Sequence, residues 1–145
     1  IQDVEDWVVE QAAIYGTRTW AYDPNNALQF GQRLQEIHGL TVFPFSQNAF
    51  RYNEPTRTLE RLLTEKHLVD GQEVRALCHD GDPVLAWMMT NLIVRKNAKD
   101  EWMPDKGSSP QKIDIAVSVL MAIAECLFSD ANSNSWDFKP GTLAL

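Results

Sequence analysis

An α/β architecture is what this sequence predicts, and three observations predict it. Helix-period and strand-like segments alternate through residues 1–45, so two strands are separated by a helix, as in a right-handed crossover between parallel strands. Short β-branched and aromatic runs, TRTWAY (17–22), LTVFPF (40–45) and LIVRK (92–96), end at turn-forming or polar residues. The longest apolar segment, IDIAVSVLMAIAECLF (113–128), is broken by Asp114, Ser118 and Glu125, so it reads as a buried helix. A bilayer span needs about 20 apolar residues, so no membrane association is expected.

Val4, Trp7, Val8, Ala12 and Tyr15 fall on one helical face, and Gly16 supplies a helix end. The strand 17–22 stops at Asp23, and Pro24 suits a first helical position because its missing N–H has no partner there. Ala27, Phe30, Leu34 and Ile37 make the next helix amphipathic, Gly39 ends it, and 40–45 forms the second strand. SQNAFRYNEP (46–55) is polar and reads as a turn, with a helix of about three turns starting near Pro55 and carrying Leu59, Leu62 and Leu63 inward. DGQE (70–73) reads as a turn and VRALC (74–78) as a short strand. In HDGDP (79–83), Asp82 is the expected cap and Pro83 the first residue of a short helix, VLAWMMTN, before the strand 92–96. Residues 97–110 read as a loop, near whose end Ser108, with Gln111 at capping-box spacing, opens a last helix of about 110–128. That helix is apolar almost all round and should be covered on all sides. Trp7, Trp20 and Trp87 read as core. Trp102 and Trp136 lie in loop or tail, with burial expected for them too. Residues 1–130 are assigned to one domain and 131–145 to a flexible tail.

Composition narrows the function. An apolar fraction of 44% with 23% charged residues suits a folded domain rather than a disordered chain. Cys78 and Cys126 are too few and too scattered for a zinc site or a disulfide framework. Residues 1–10 are acidic rather than basic-then-apolar, so no secretory leader is expected. No Gly-x-x-x-x-Gly-Lys-Ser/Thr segment occurs, which excludes a P-loop ATPase within these residues. A formal charge of −7 argues against coating nucleic acid by bulk attraction. The charge is uneven, however: residues 1–36 hold six acidic and two basic side chains, whereas 95–112 hold five basic and three acidic. Arg95, Lys96, Lys99, Lys106 and Lys112 are therefore the candidate DNA contacts, although such runs are commonly only a solvated surface.

Two carboxylates carry the sharper hypothesis. Asp23 stands where a strand meets a helix, a position that suits a helix cap or a ligand at the rim of a sheet. Asp114 lies at the start of the most apolar helix, where the helix dipole favours a negative charge but burial would penalise it without a cation. Two such carboxylates suit hard divalent cations, which can activate water for phosphodiester cleavage. Each equally suits a structural role on spacing alone. His79 and Asp82 are accessory candidates, the latter with a competing role as cap.

WAYDPNNALQFGQRLQE (20–36), PTRTLERLL (55–63), HDGDPVLAWMMTNLIVRKN (79–97) and PDKGSSPQKIDIAVSVLMAI (104–123), in that order, resemble the C-terminal nuclease domain of the large terminase subunit of tailed bacteriophages. The resemblance implies an RNase H-like fold and a Mg²⁺- or Mn²⁺-dependent endonuclease that cuts concatemeric viral DNA by two-metal-ion hydrolysis. By motif, Asp23 and Asp114 match the family's second and third acidic ligands, so both are expected to be catalytic and metal-binding. The implied partners are double-stranded DNA, the terminase small subunit, the portal protein and further copies of the chain, in the cytoplasm of a bacterial host. Asp80, Asp82 and Ile115 depart from the family's usual small residue, amide and glycine. The family's first acidic strand is not found in a chain that begins at Ile1, so one ligand is expected upstream and this chain alone is expected to cleave weakly or not at all. Two alternatives stand beside this reading: a non-catalytic assembly module of the packaging motor, and another RNase H-like nuclease or recombinase core.

Overall fold

The alternation expected at the start of the chain is present as α1 (Gln2–Tyr15), β1 (Trp20–Tyr22), α2 (Pro24–Glu36) and β2 (Val42–Pro44) in the computed structural model, which describes residues 2–130. The tail assigned to 131–145, Trp136 included, lies outside the described residues. Those residues divide into two units, one ending at Gln47 and the other beginning at Asn48.

In the first unit β1 and β2 pair in parallel, Trp20 opposite Val42 and Tyr22 opposite Pro44. Val8, Leu34 and Val42 form the buried core, with Trp20, Tyr22, Phe30 and Leu40 packed against it. Gly39 adopts φ +67, and the Gly39 and Leu40 N–H groups donate to the Gln35 and Leu34 carbonyls, closing α2 where the glycine was expected to end it. The inward face of α1 differs from expectation. Glu5, Val8 and Ala12 are buried, while Val4 and Tyr15 are exposed and Trp7 is 58% exposed rather than core. The reason is electrostatic. The Arg33 guanidinium donates from Nε to Glu5 Oε1 at 2.5 Å and from Nη2 to Oε2 at 2.9 Å, a two-pronged pair that lets a carboxylate go inside. Those hydrogen bonds hold the Glu5 carboxyl below the usual carboxylate range.

The second unit contains α3 (Ala49–Thr64), β3 (Lys66–Val69), β4 (Gln72–Arg75), α4 (Pro83–Thr90), β5 (Val94–Lys96), β6 (Trp102–Pro104) and α5 (Asp114–Asp130). Helix α3 begins six residues before Pro55 rather than at it, because the Asn48 side chain caps it by accepting from Arg51 N at 3.0 Å. Pro55 is buried inside the helix, and Thr56 Oγ1 donates to the Tyr52 carbonyl at 2.7 Å. Leu59 points inward as expected, but Leu63 is exposed. The segment expected as a turn and one strand is a hairpin: β3 and β4 pair antiparallel across Asp70 and Gly71, both at positive φ (51 and 80). The segment expected as a loop holds β6, which pairs antiparallel with β5. The α/β class therefore holds, and among the described residues the strands form three two-stranded ladders, one parallel and two antiparallel.

Helix α5 corrects two further expectations. It starts at Asp114, because Ser108 is engaged with Asp105, donating from its hydroxyl at 2.9 Å and its N–H at 3.2 Å. Nor is it covered all round. Ala116, Val117, Leu120, Met121 and Ala124 are buried on the side that packs with α3 and α4, whereas Asp114, Ser118, Ala122 and Cys126 are exposed. Trp87 on α4 is 45% exposed rather than core, since a helix apolar nearly all round carries no stripe that fixes which face a neighbour covers.

Candidate functional site

Asp23 follows the last residue of β1 with an extended backbone (φ −79, ψ 109) and caps α2. Its Oδ1 accepts from Asn25 N at 3.0 Å and its Oδ2 from the Asn26 amide at 3.2 Å. Both oxygens of this half-buried group are thus oriented, yet an ionised carboxylate has about four acceptor sites, so each oxygen retains one. Upstream, Tyr22 is clamped on both its backbone and its ring. Its carbonyl accepts from Phe45 N at 2.8 Å, and its ring lies over Gly31, where a Cβ would come within 2.6 Å of the ring carbons. The strand end that carries Asp23 is therefore fixed by β2 on one side and α2 on the other.

Asp114, in the second unit, is the first residue of α5 and is exposed. The carbonyl of Ile113 already accepts the first helical bond, from Val117 N at 2.9 Å, so the capping position is filled by a residue with no side-chain acceptor. Ile115 N instead donates to Met88 Sδ on α4, at 3.2 Å. Among the described residues, no hydrogen bond or ion pair engages the Asp114 carboxylate. The desolvation problem posed by the sequence does not arise, because this part of the helix surface is open.

His79, Asp80 and Asp82 are brought together in one exposed turn. His79 Nδ1 accepts from Gly81 N at 3.0 Å, Asp80 Oδ1 accepts from Asp82 N at 3.1 Å, and Gly81 sits at φ +87. A neutral imidazole accepting through Nδ1 carries its proton on Nε2, which leaves Nε2–H as the donor. Asp82 caps α4, its Oδ1 accepting from Leu85 N at 2.7 Å, with Pro83 first in the helix as expected.

Of the basic candidates, Arg95 and Lys96 lie on β5, Lys99 in the turn after it, Lys106 beyond β6 and Lys112 just before α5. Lys96 Nζ is 3.1 Å from Asp100 Oδ1 and 5.0 Å above the Trp102 ring, so its charge is partly spent. Lys99, Lys106 and Lys112 form no ion pair among the described residues and are exposed. Arg57 on α3 escaped the sequence reading. It stacks over Trp102 at 4.7 Å and reaches Asp100 Oδ2 at 3.3 Å. Lys96 first, and Arg57 with it, hold the Asp100 carboxyl below its usual range. No local spacing announced the Lys96–Asp100 pair, because Lys96 ends β5 and Asp100 lies in the turn after it, outside any helix. Among the described residues, no cluster of three or more His, Cys, Asp or Glu side chains is arranged to hold a metal ion.

The family model for the terminase large subunit endonuclease domain matches residues 1–130. The chain belongs to that family. It is therefore a terminase large subunit endonuclease domain, and the phage nuclease resemblance read from its four segments is borne out. Among solved structures, the HK97 bacteriophage large terminase matches with a TM-score of 0.66 and 26% sequence identity. That match covers 83% of this chain and 24% of the HK97 chain, so the domain spans about a quarter of the HK97 protein's length. No curated protein sequence matches significantly. The mixed α/β fold is thus that of the terminase nuclease, RNase H-like in class. Among the described residues, no helix of this terminase domain is long and apolar enough to cross a membrane.

Proposed function

We propose that this terminase domain is a Mg²⁺- or Mn²⁺-dependent DNA endonuclease that cuts concatemeric viral DNA during packaging, with Asp23 and Asp114 as metal-binding catalytic carboxylates. One observation carries the reading: in a family of nucleases, Asp114 stands at a helix start with its carboxylate exposed and claimed by no neighbour among the described residues. Carboxylate oxygens, which each of these residues offers, are the ligands that hard cations take. Bound divalent ions would supply Lewis-acid activation of water and neutralise charge at the scissile phosphate.

The chain's own residues divide the remaining work. Asp23, oriented by Asn25 and Asn26, offers ligand oxygens whose direction is set before any cation arrives. Lys99, Lys106 and Lys112, unpaired among the described residues, hold DNA phosphates electrostatically with Arg95 and Lys96. His79 presents Nε2–H as a donor to an oxyanion. Asp82 serves as cap to the helix that follows and keeps the His79 turn in place. The partners this reading implies are double-stranded DNA, the terminase small subunit, the portal protein and further copies of the chain, in the cytoplasm of the bacterial host.

The test is Mn²⁺-dependent nicking of supercoiled plasmid by the intact natural protein. Asp23→Asn and Asp114→Asn are each expected to abolish nicking while leaving the fold intact by circular dichroism. Undiminished nicking by either variant overturns the assignment of that residue.

A further inference from the structure

We infer that Met88 is a positioning residue for Asp114, a role that rests on the reading of Asp114 as a metal ligand. The first N–H groups of any helix lack partners within it and draw nearby acceptors, usually an oxygen on the side chain of the cap residue. Helix α5 has Ile113 at its cap position, a buried side chain that cannot accept a hydrogen bond. The carboxylate next in line is Asp114 itself. Left alone, the Ile115 N–H would be a local donor competing for it. Met88 Sδ occupies that donor instead, from a different helix and at 3.2 Å.

The thioether suits the task. Sulfur is a weak, polarizable acceptor on an unbranched chain, and it reaches the helix end without adding a second charge beside the carboxylate. The helix that carries Met88 is closed at both ends. Helix α4 is capped by Asp82 at one end, and at the other the Asn91 N–H bonds to the Met88 carbonyl at 3.3 Å while Thr90 Oγ1 and the Asn91 amide both donate to the Trp87 carbonyl at 2.8 Å. One side chain therefore seats the start of α5 against α4 and leaves the Asp114 carboxylate available to a cation.

Two substitutions separate the acceptor from the bulk. Met88→Leu keeps an apolar side chain of similar volume and removes the sulfur; Met88→Gln returns an acceptor oxygen on a chain of similar length. Mn²⁺ affinity of the intact natural protein is measured by electron paramagnetic resonance, with melting temperature read in parallel. Met88→Leu is expected to weaken Mn²⁺ binding roughly three- to tenfold, the scale of one neutral hydrogen bond. Met88→Gln is expected to restore it, which a purely packing role would not do. Should Met88→Leu lose its fold, Met88→Gln decides alone: folded with wild-type affinity it supports the inference, and folded with weakened affinity it overturns it. Wild-type affinity in a folded Met88→Leu also overturns it. Asp114→Asn runs alongside: if that variant binds Mn²⁺ like wild type, the ligand assignment falls and the role of Met88 falls with it.

Discussion

Gly31→Ala is expected to destabilise the first unit, although alanine is the better helix former. A Cβ at this position would lie 2.6 Å from two carbons of the Tyr22 ring and 2.9 Å from a third. Carbon contacts become comfortable near 3.5 Å, so the ring must retreat by roughly 0.9 Å, and it is packed against the core of Val8, Leu34 and Val42. Replacing glycine by alanine within a helix gains about 1 kcal/mol. Overpacking of this kind costs roughly 1–3 kcal/mol, so the net effect is a loss of up to about 2 kcal/mol. Urea denaturation followed by tryptophan fluorescence measures it. The decisive arm is the double variant. In a Tyr22→Leu background the clash is relieved, and Gly31→Ala should then stabilise by about 1 kcal/mol, its helix propensity alone. A stabilising Gly31→Ala in the wild-type background, or the same effect in both backgrounds, would refute the clash. Because Tyr22 immediately precedes Asp23, Gly31→Ala should also weaken Mn²⁺-dependent nicking where Asp23 is a ligand.

Leu120→Ala, at a fully buried position of α5, should cost about 2–5 kcal/mol in chemical denaturation; a cost below 1 kcal/mol would mean that this side of the helix is not the core of its unit. Asp82→Ala should cost about 1 kcal/mol through the lost bond to Leu85 N, while Asp82→Ser should keep most of that stability. If Asp82→Ser is stable yet fails to nick DNA, the residue does more than cap. Glu125 supplies a pH test. Burial raises its carboxyl above the ordinary value, with Arg51 at 3.7 Å opposing, so the folded state binds the proton more tightly than the unfolded one. Its contribution is therefore greatest at acid pH and declines as pH rises from the ordinary glutamate pKa of about 4.3 through the raised folded value. Glu125→Gln should flatten that decline in melting temperature; an unchanged slope would place the titration elsewhere.

The sequence by itself determined much of this protein. The Asp23–Pro24 and Asp82–Pro83 pairs declared their helix starts because capping is local chemistry, settled within three or four residues. The alternation of helix and strand declared the parallel β1–β2 pair, and four ordered segments declared the family. The candidate residues were legible too, since Asp23, Asp114 and the His79–Asp82 turn sit in those segments.

Tertiary structure decided what depends on partners distant in the chain. A periodic stripe could not say that Glu5 rather than Trp7 faces inward on α1, because the deciding group is Arg33, 28 residues away. Strand β6 was invisible inside a polar segment, because its pairing with β5 and the Trp102 N–H bond to Asn53 on α3 (3.0 Å) are non-local. Apolar composition forecast a wrapped α5, yet only the packing of α3 and α4 on one side shows that Asp114 lies on the open side. Met88 and Asp114 were both plain in the sequence. That a thioether from one helix takes the N–H beside the carboxylate of another is a relation between surfaces, and local periodicity carries no record of it.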